Sequence, residues 1–150
     1  MCIRDRLVGT GRPDEDPLET SPGYAIQYHL VNPQRQGPLR VWLLAPDEAM
    51  EVAREFKKRF EGPQATVEIR RLLNAFDVES TYRKVREVYE TELGTAELAP
   101  ADVIADFTAG TKLMSAGMLL ACSLAGWPLQ YMTGRKEGIV PTPMEIKFRP

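Results

Sequence analysis

The chain has 150 residues, 43% of them hydrophobic and 27% charged, which fits one ordinary soluble domain with a real core and excludes a disordered or fibrous chain. Lys and Arg number 19 against 21 Asp and Glu, so the net charge of -2 offers no general attraction for a long polynucleotide, and any anionic ligand has to be held by a local cluster. The two cysteines, Cys2 and Cys122, show neither metal-ligand spacing nor a repeat, which argues against a disulfide scaffold and a zinc site and makes a reducing cytoplasm the expected location.

Residues 1–6, Met-Cys-Ile-Arg-Asp-Arg, lack the apolar core of a secretory signal and are similar to translated adapter sequence at the ends of assembled metagenomic reads. They are read as a non-native leader, with the domain occupying residues 7–150 and its first strand cut short at Leu7 and Val8. A glycine-rich turn, Gly9, Thr10, Gly11 and Arg12, follows that strand. Residues 13–23 are loop-like in composition, and residues 24–31 place Ala25, Ile26 and Tyr28 at helical spacing before Asn32-Pro33 stops the helix. Residues 40–45 are a continuous apolar run of strand length, and Pro46-Asp47-Glu48 opens a helix with Met50, Val52, Ala53, Phe56 and Phe60 on one face.

Gly62-Pro63 closes that helix, residues 66–72 alternate as a strand, and residues 80–93 set Tyr82, Val85, Val88 and Tyr89 on a helical stripe. Residues 102–107 are the next apolar strand, 108–111 a tight turn, and 112–126 a helix so apolar that nearly all its sides should be covered. The apolar stretch 113–127 is shorter than the roughly 20 residues that span a bilayer, so it predicts a buried helix and no membrane anchor. Further strands are expected at 129–132 and 144–148, separated by a polar turn at 134–138. Strands alternating with helices of this length imply right-handed crossovers and an α/β fold: a three-layer, Rossmann-like sandwich with a mainly parallel sheet and helices on both faces.

Ligands of such sheets bind outside the carboxyl ends of the strands, where turns lead into helix N-termini. Two turns qualify, Gly9 to Arg12 and the one after the strand at 102–107. In the second, Ala109 and Gly110 leave the backbone open to close approach, Thr108 and Thr111 supply hydroxyls, and Lys112 supplies a cation at a helix start, a combination suited to a phosphate. Asp106 either accepts a hydrogen bond from the ligand or braces the turn. Neither familiar phosphate motif fits: Gly110-Thr111-Lys112 is followed by Leu113 without the first glycine of a P-loop, and Gly9-Thr10-Gly11 lacks the third glycine of a dinucleotide fingerprint. The pattern asks for no cofactor and no metal. His29, without Cys or acidic partners at ligand spacing, reads as a surface or half-buried structural residue. Lys57-Lys58-Arg59 and Arg70-Arg71 read as solvated charge, and Met114, Met118, Leu119 and Cys122 as core or dimer interface.

The run Asp106-Phe107-Thr108-Ala109-Gly110-Thr111-Lys112-Leu113-Met114 resembles the signature of CARF domains, the CRISPR-associated Rossmann-like modules. It departs from that signature in the insertion of Phe107 and in Ala109 where the family has its first glycine. The order of the Gly9-Thr10-Gly11 turn, Asn32-Pro33 and Asn74-Ala75-Phe76-Asp77-Val78 is similar too, so the resemblance covers residues 7–148. It implies a homodimer that holds a cyclic oligoadenylate, cyclic tetra- or hexa-adenylate, at a two-fold axis and signals to an effector domain absent from this chain. An alternative implied by the same family is a metal-independent ring nuclease, in which a ribose 2′-hydroxyl attacks the adjacent phosphate while Lys112 stabilises the developing charge. A third reading is a Rossmann-like protein that binds an ordinary mononucleotide.

Overall fold

In the computed structural model, which describes residues 3–7, 16, 19–34, 37–134 and 140–148, strands and helices alternate along the chain. The strands are β1 (Ile3–Leu7), β2 (Leu39–Pro46), β3 (Ala65–Leu72), β4 (Val103–Asp106), β5 (Leu129–Thr133) and β6 (Thr142–Ile146). The helices are α1 (Ser21–Leu30), α2 (Met50–Phe60), α3 (Val78–Glu87), the single turn α4 (Leu93–Thr95) and α5 (Lys112–Ala125). The strands form one sheet in the order β3-β2-β1-β4-β5-β6. The first five run parallel and β6 pairs antiparallel with β5, Leu129 opposite Ile146. This is the expected Rossmann-like sandwich.

Strand β2 shows why the sequence builds three layers. Successive side chains of a strand point to opposite faces, and a strand buried on both faces is apolar throughout. Leu39, Val41, Leu43 and Ala45 pack with Ile26 of α1, Ala53 and Phe56 of α2, and Val67 of β3. Trp42 and Leu44 enter the opposite core, with Val85, Val88 and Tyr89 from the α3 side and Met114, Met118, Ala121 and Cys122 from α5. Of the predicted α5 stripe, Met114, Met118 and Cys122 are core, whereas Leu119 is exposed.

Helix boundaries follow their caps. Helix α1 starts three residues earlier than its apolar spacing suggests, because Thr20 Oγ1 accepts from Gly23 N at 3.3 Å and Pro22 is tolerated in the first turn. Helix α2 is preceded by a 3-10 turn, Asp47–Ala49. Asp77 caps α3 through Glu79 N at 3.0 Å, and the helix widens into a π segment, Val88–Glu92, before α4. Gly126, at φ 73°, ends α5 in the left-handed conformation that glycine adopts without Cβ strain. Helices α3 and α5 touch backbone to side chain: a Cβ on Gly117 would stand 2.5 Å from Val78 O and 2.9 Å from Thr81 Cβ. Strand β6 begins at Thr142, earlier than its predicted start, and residues 135–138 of the predicted polar turn before it lie outside the described residues.

Candidate functional site

The strand order reverses between β1 and β4, since β1 continues outward through β2 and β3 while β4 continues through β5 and β6. At such a switch point adjacent crossovers depart to opposite faces and leave a crevice at the carboxyl edge. The register places Arg6 beside Asp106, so the chain leaves β1 and β4 side by side. The ends of β1 and β4 therefore lie next to each other at the carboxyl edge of the sheet. Gly9, Thr10, Gly11 and Arg12 lie outside the described residues; the β4 turn is fully described.

That turn is held from within. Asp106 is 2% exposed; its Oδ1 accepts from Thr108 N at 3.0 Å and its Oδ2 from Gln130 Nε2 at 2.7 Å. Its carboxylate thus faces the protein and braces the turn. Thr108 Oγ1 accepts from Met132 N at 2.8 Å, tying the turn to β5. Gly110, at φ 103°, takes a conformation costly for other residues, and Met114 closes in beneath it, its Cε 3.2 Å from where a Cβ would be. Thr111 is the N-cap of α5: its Oγ1 accepts from Met114 N at 3.1 Å and donates to Ala75 O at 2.5 Å. Ser115 Oγ donates to Phe107 O at 3.1 Å.

What this leaves facing solvent is a donor surface. Among the described residues, the backbone amides of Gly110, Lys112 and Leu113 have no partner, and the exposed Lys112 makes no ion pair. No acidic residue occupies the first turn of α5. Unpaired amides, the positive end of a 14-residue helix and an ammonium are together groups with the chemistry to attract an anion with several oxygens. Asp106, Thr108 and Thr111 hold the turn from inside, while Gly110 and Lys112 are exposed on it and Ala109 is half-buried.

Some residues at this edge were not singled out by the sequence. Gln130 and His29 stand behind Asp106, both buried, with His29 Nε2 2.9 Å from Gln130 Oε1. A polar residue in an otherwise apolar strand was the available signal for Gln130. Ala75, buried in the β3–α3 loop, receives the Thr111 hydroxyl, and the next residue, Phe76, is 68% exposed. Arg70 and Arg71 are engaged elsewhere, Arg70 with Glu92 and Glu68, and Arg71 with Asp47. Among the described residues no His, Cys, Asp and Glu group could hold a metal ion, and no helix is long and apolar enough to cross a membrane.

No protein-family model matches the chain, and no curated protein matches it significantly. Solved structures do. Can2 from Sulfobacillus thermosulfidooxidans, in complex with cyclic tetra-adenylate, has a TM-score of 0.62 at 17% identity, over 89% of this chain and 32% of that one. Enterococcus italicus Csm6, bound to cyclic hexa-2′-fluoro-hexa-dAMP, has a TM-score of 0.66 at 14% identity, over 90% of this chain and 34% of that one. A type III CRISPR defence DNA nuclease activated by cyclic oligoadenylate has a TM-score of 0.59 at 24% identity, over 88% of this chain and 18% of that one. At these identities the likeness is one of fold, and the chain spans about a third or less of the length of these proteins.

Proposed function

We propose that this chain is a sensor module that captures a cyclic oligoadenylate at the β1/β4 switch point and that two copies share one ring. The observation that carries the reading is the outward-facing α5 N-terminus, with free amides and an unpaired Lys112, in a fold shared with structures bound to such rings. It agrees with what the resemblance of residues 106–114 to the CARF signature implies. A ring of phosphates has rotational symmetry, so two copies of one helix start provide for it without a basic surface, in line with the net charge of -2.

Helix α5 also supports pairing of two copies. Leu113, Leu120 and Leu124 are 40, 45 and 70% exposed and fall on one side of the helix, an apolar stripe that begins at the turn itself. Phe76, held next to the turn through the Thr111–Ala75 bond, offers a ring face on which an adenine can stack. Movement of the paired modules on capture would pass to an effector domain in the complete protein.

The experiment is to incubate the purified chain with labelled cyclic tetra-adenylate and cyclic hexa-adenylate and to measure both retention and linear product. Retention without product is expected. Lys112→Ala removes one charge-assisted contact per subunit, each worth about 1.5–3 kcal/mol, so affinity should fall at least ten-fold. Leu124→Glu should shift the sedimenting species toward monomer and weaken retention. Linear product that disappears in Lys112→Ala would replace the sensor with the ring nuclease, and retention of neither ring would remove both.

A further inference from the structure

We infer that His29 and Gln130 are positioning residues for the ligand turn, acting through Asp106. The functional sense of this inference rests on the ligand reading above; its physical basis does not. Three buried polar side chains from three elements form one chain of hydrogen bonds: His29 in the last turn of α1, Gln130 in β5 and Asp106 at the end of β4, exposed by 4, 1 and 2%. The links are 2.9 Å from His29 Nε2 to Gln130 Oε1 and 2.7 Å from Gln130 Nε2 to Asp106 Oδ2. Asp106 Oδ1 then accepts from Thr108 N at 3.0 Å, where the turn begins.

Direction follows from the donor inventory. Gln130 uses its amide nitrogen on Asp106, so its oxygen accepts from the imidazole, and His29 carries a proton on Nε2. Aligned links of this kind polarise one another, and breaking any of them takes a hydrogen bond from a buried polar group. Thr108 Oγ1 accepts from Met132 N, and Met132 is two residues beyond Gln130 on β5, so the chain closes on itself: Gln130, Asp106, Thr108, Met132. The turn is thereby fixed at two adjacent points of β5. The relay thus joins α1, β5 and the end of β4. Replacing Gln130 with an apolar residue removes the 2.7 Å donor that Gln130 Nε2 gives to Asp106 Oδ2. The carboxyl group then has reason to swing outward, toward the place where phosphates would sit.

A purely structural role predicts lost stability and nothing more, so the test needs readouts that stability alone does not move. The chain contains one histidine, and 15N labelling therefore gives one set of imidazole resonances. In the full chain they should show the Nε2–H form and should shift when cyclic tetra- or hexa-adenylate is added, although His29 is buried. Gln130→Met, close in volume, should abolish that shift, raise hydrogen exchange at the Thr108 amide at least ten-fold and weaken ring binding by about ten-fold or more. Val67→Ala, on the edge strand β3 and separated from β4 by β2 and β1, is the control: it should lower the melting temperature with ring affinity unchanged. If Gln130→Met does not fold, His29→Phe, which leaves the Gln130–Asp106 bond in place, should show the same changes at smaller size. Ring affinity lost equally in Val67→Ala, or Thr108 exchange unchanged in Gln130→Met, overturns the inference. If the unmodified chain retains neither ring, the ligand reading fails by itself, and the exchange measurement still decides whether the relay holds the turn.

Discussion

Thr111→Val isolates the bond that joins the ligand turn to the neighbouring loop. Valine matches threonine in shape, and the N-cap backbone, at φ −71° and ψ 161°, is extended and suits a β-branched residue, so the exchange removes a hydroxyl and little else. Two interactions go with it. Met114 N loses its cap, which costs about 1 kcal/mol. Ala75 O, in a residue 1% exposed, loses its donor, which costs about 1–3 kcal/mol when nothing replaces it. The sum is roughly 2–4 kcal/mol, a large part of the ~5–15 kcal/mol that holds a domain together. For a chain of this size it corresponds to a fall in melting temperature of about 5–15 °C. Circular dichroism melts of Thr111→Val and Thr111→Ser against the parent chain measure it, with serine expected to keep most of the parent's stability because it keeps the hydroxyl. A valine variant that melts with the parent, or a serine variant no better than valine, would refute the argument that this hydroxyl carries the junction.

Two further outcomes follow from the packing and from one surface pair. Gly117→Ala should destabilise by about 1–3 kcal/mol in urea titrations, although alanine gains about 1 kcal/mol in helix propensity, because its Cβ would meet Val78 O at 2.5 Å; an unchanged midpoint would show that α3 can yield. Asp47 accepts from Arg71 Nε at 2.6 Å, and the hydrogen bond and charge of that guanidinium hold its carboxyl below the ordinary value. A carboxyl with a folded pKa below its unfolded one stabilises the fold above the unfolded pKa and ceases to do so as pH falls through the folded one. The parent should therefore melt slightly above Asp47→Asn at pH 7, with the gap closing below the usual carboxylate range; a gap independent of pH would exclude the pair as its cause.

The sheet was legible where burial on both faces forces an apolar run, as in β2, and where a cap or breaker is a single residue, as at Gly126. The turn at 108–112 was legible because its small residues, hydroxyls and lysine adjoin in sequence. Properties set by distant partners were not. The antiparallel course of β6 depends on what lies beside it, and the π segment at Val88–Glu92 leaves the helical apolar stripe almost unchanged. His29 lacked any local sign of its role because its partner Gln130 lies 101 residues away. The threonine hydroxyls, read from sequence as ligand donors, turn toward Met132 and Ala75 for the same reason: which way a side chain points at a turn is decided by the elements that close over it.

The missing side chain at Gly117 removes all clearance between α3 and α5. Two rods in backbone contact cannot slide along each other without coming apart, so they tilt as one strut. Thr111 clips the head of α5 to the residue preceding the α3 cap by two positions, which joins the strut at its start as well. Its other end lies about 22 Å away along residues 78–92, where Glu92 meets Arg70 of β3. Any displacement of the head of α5 is therefore expected to carry α3 with it.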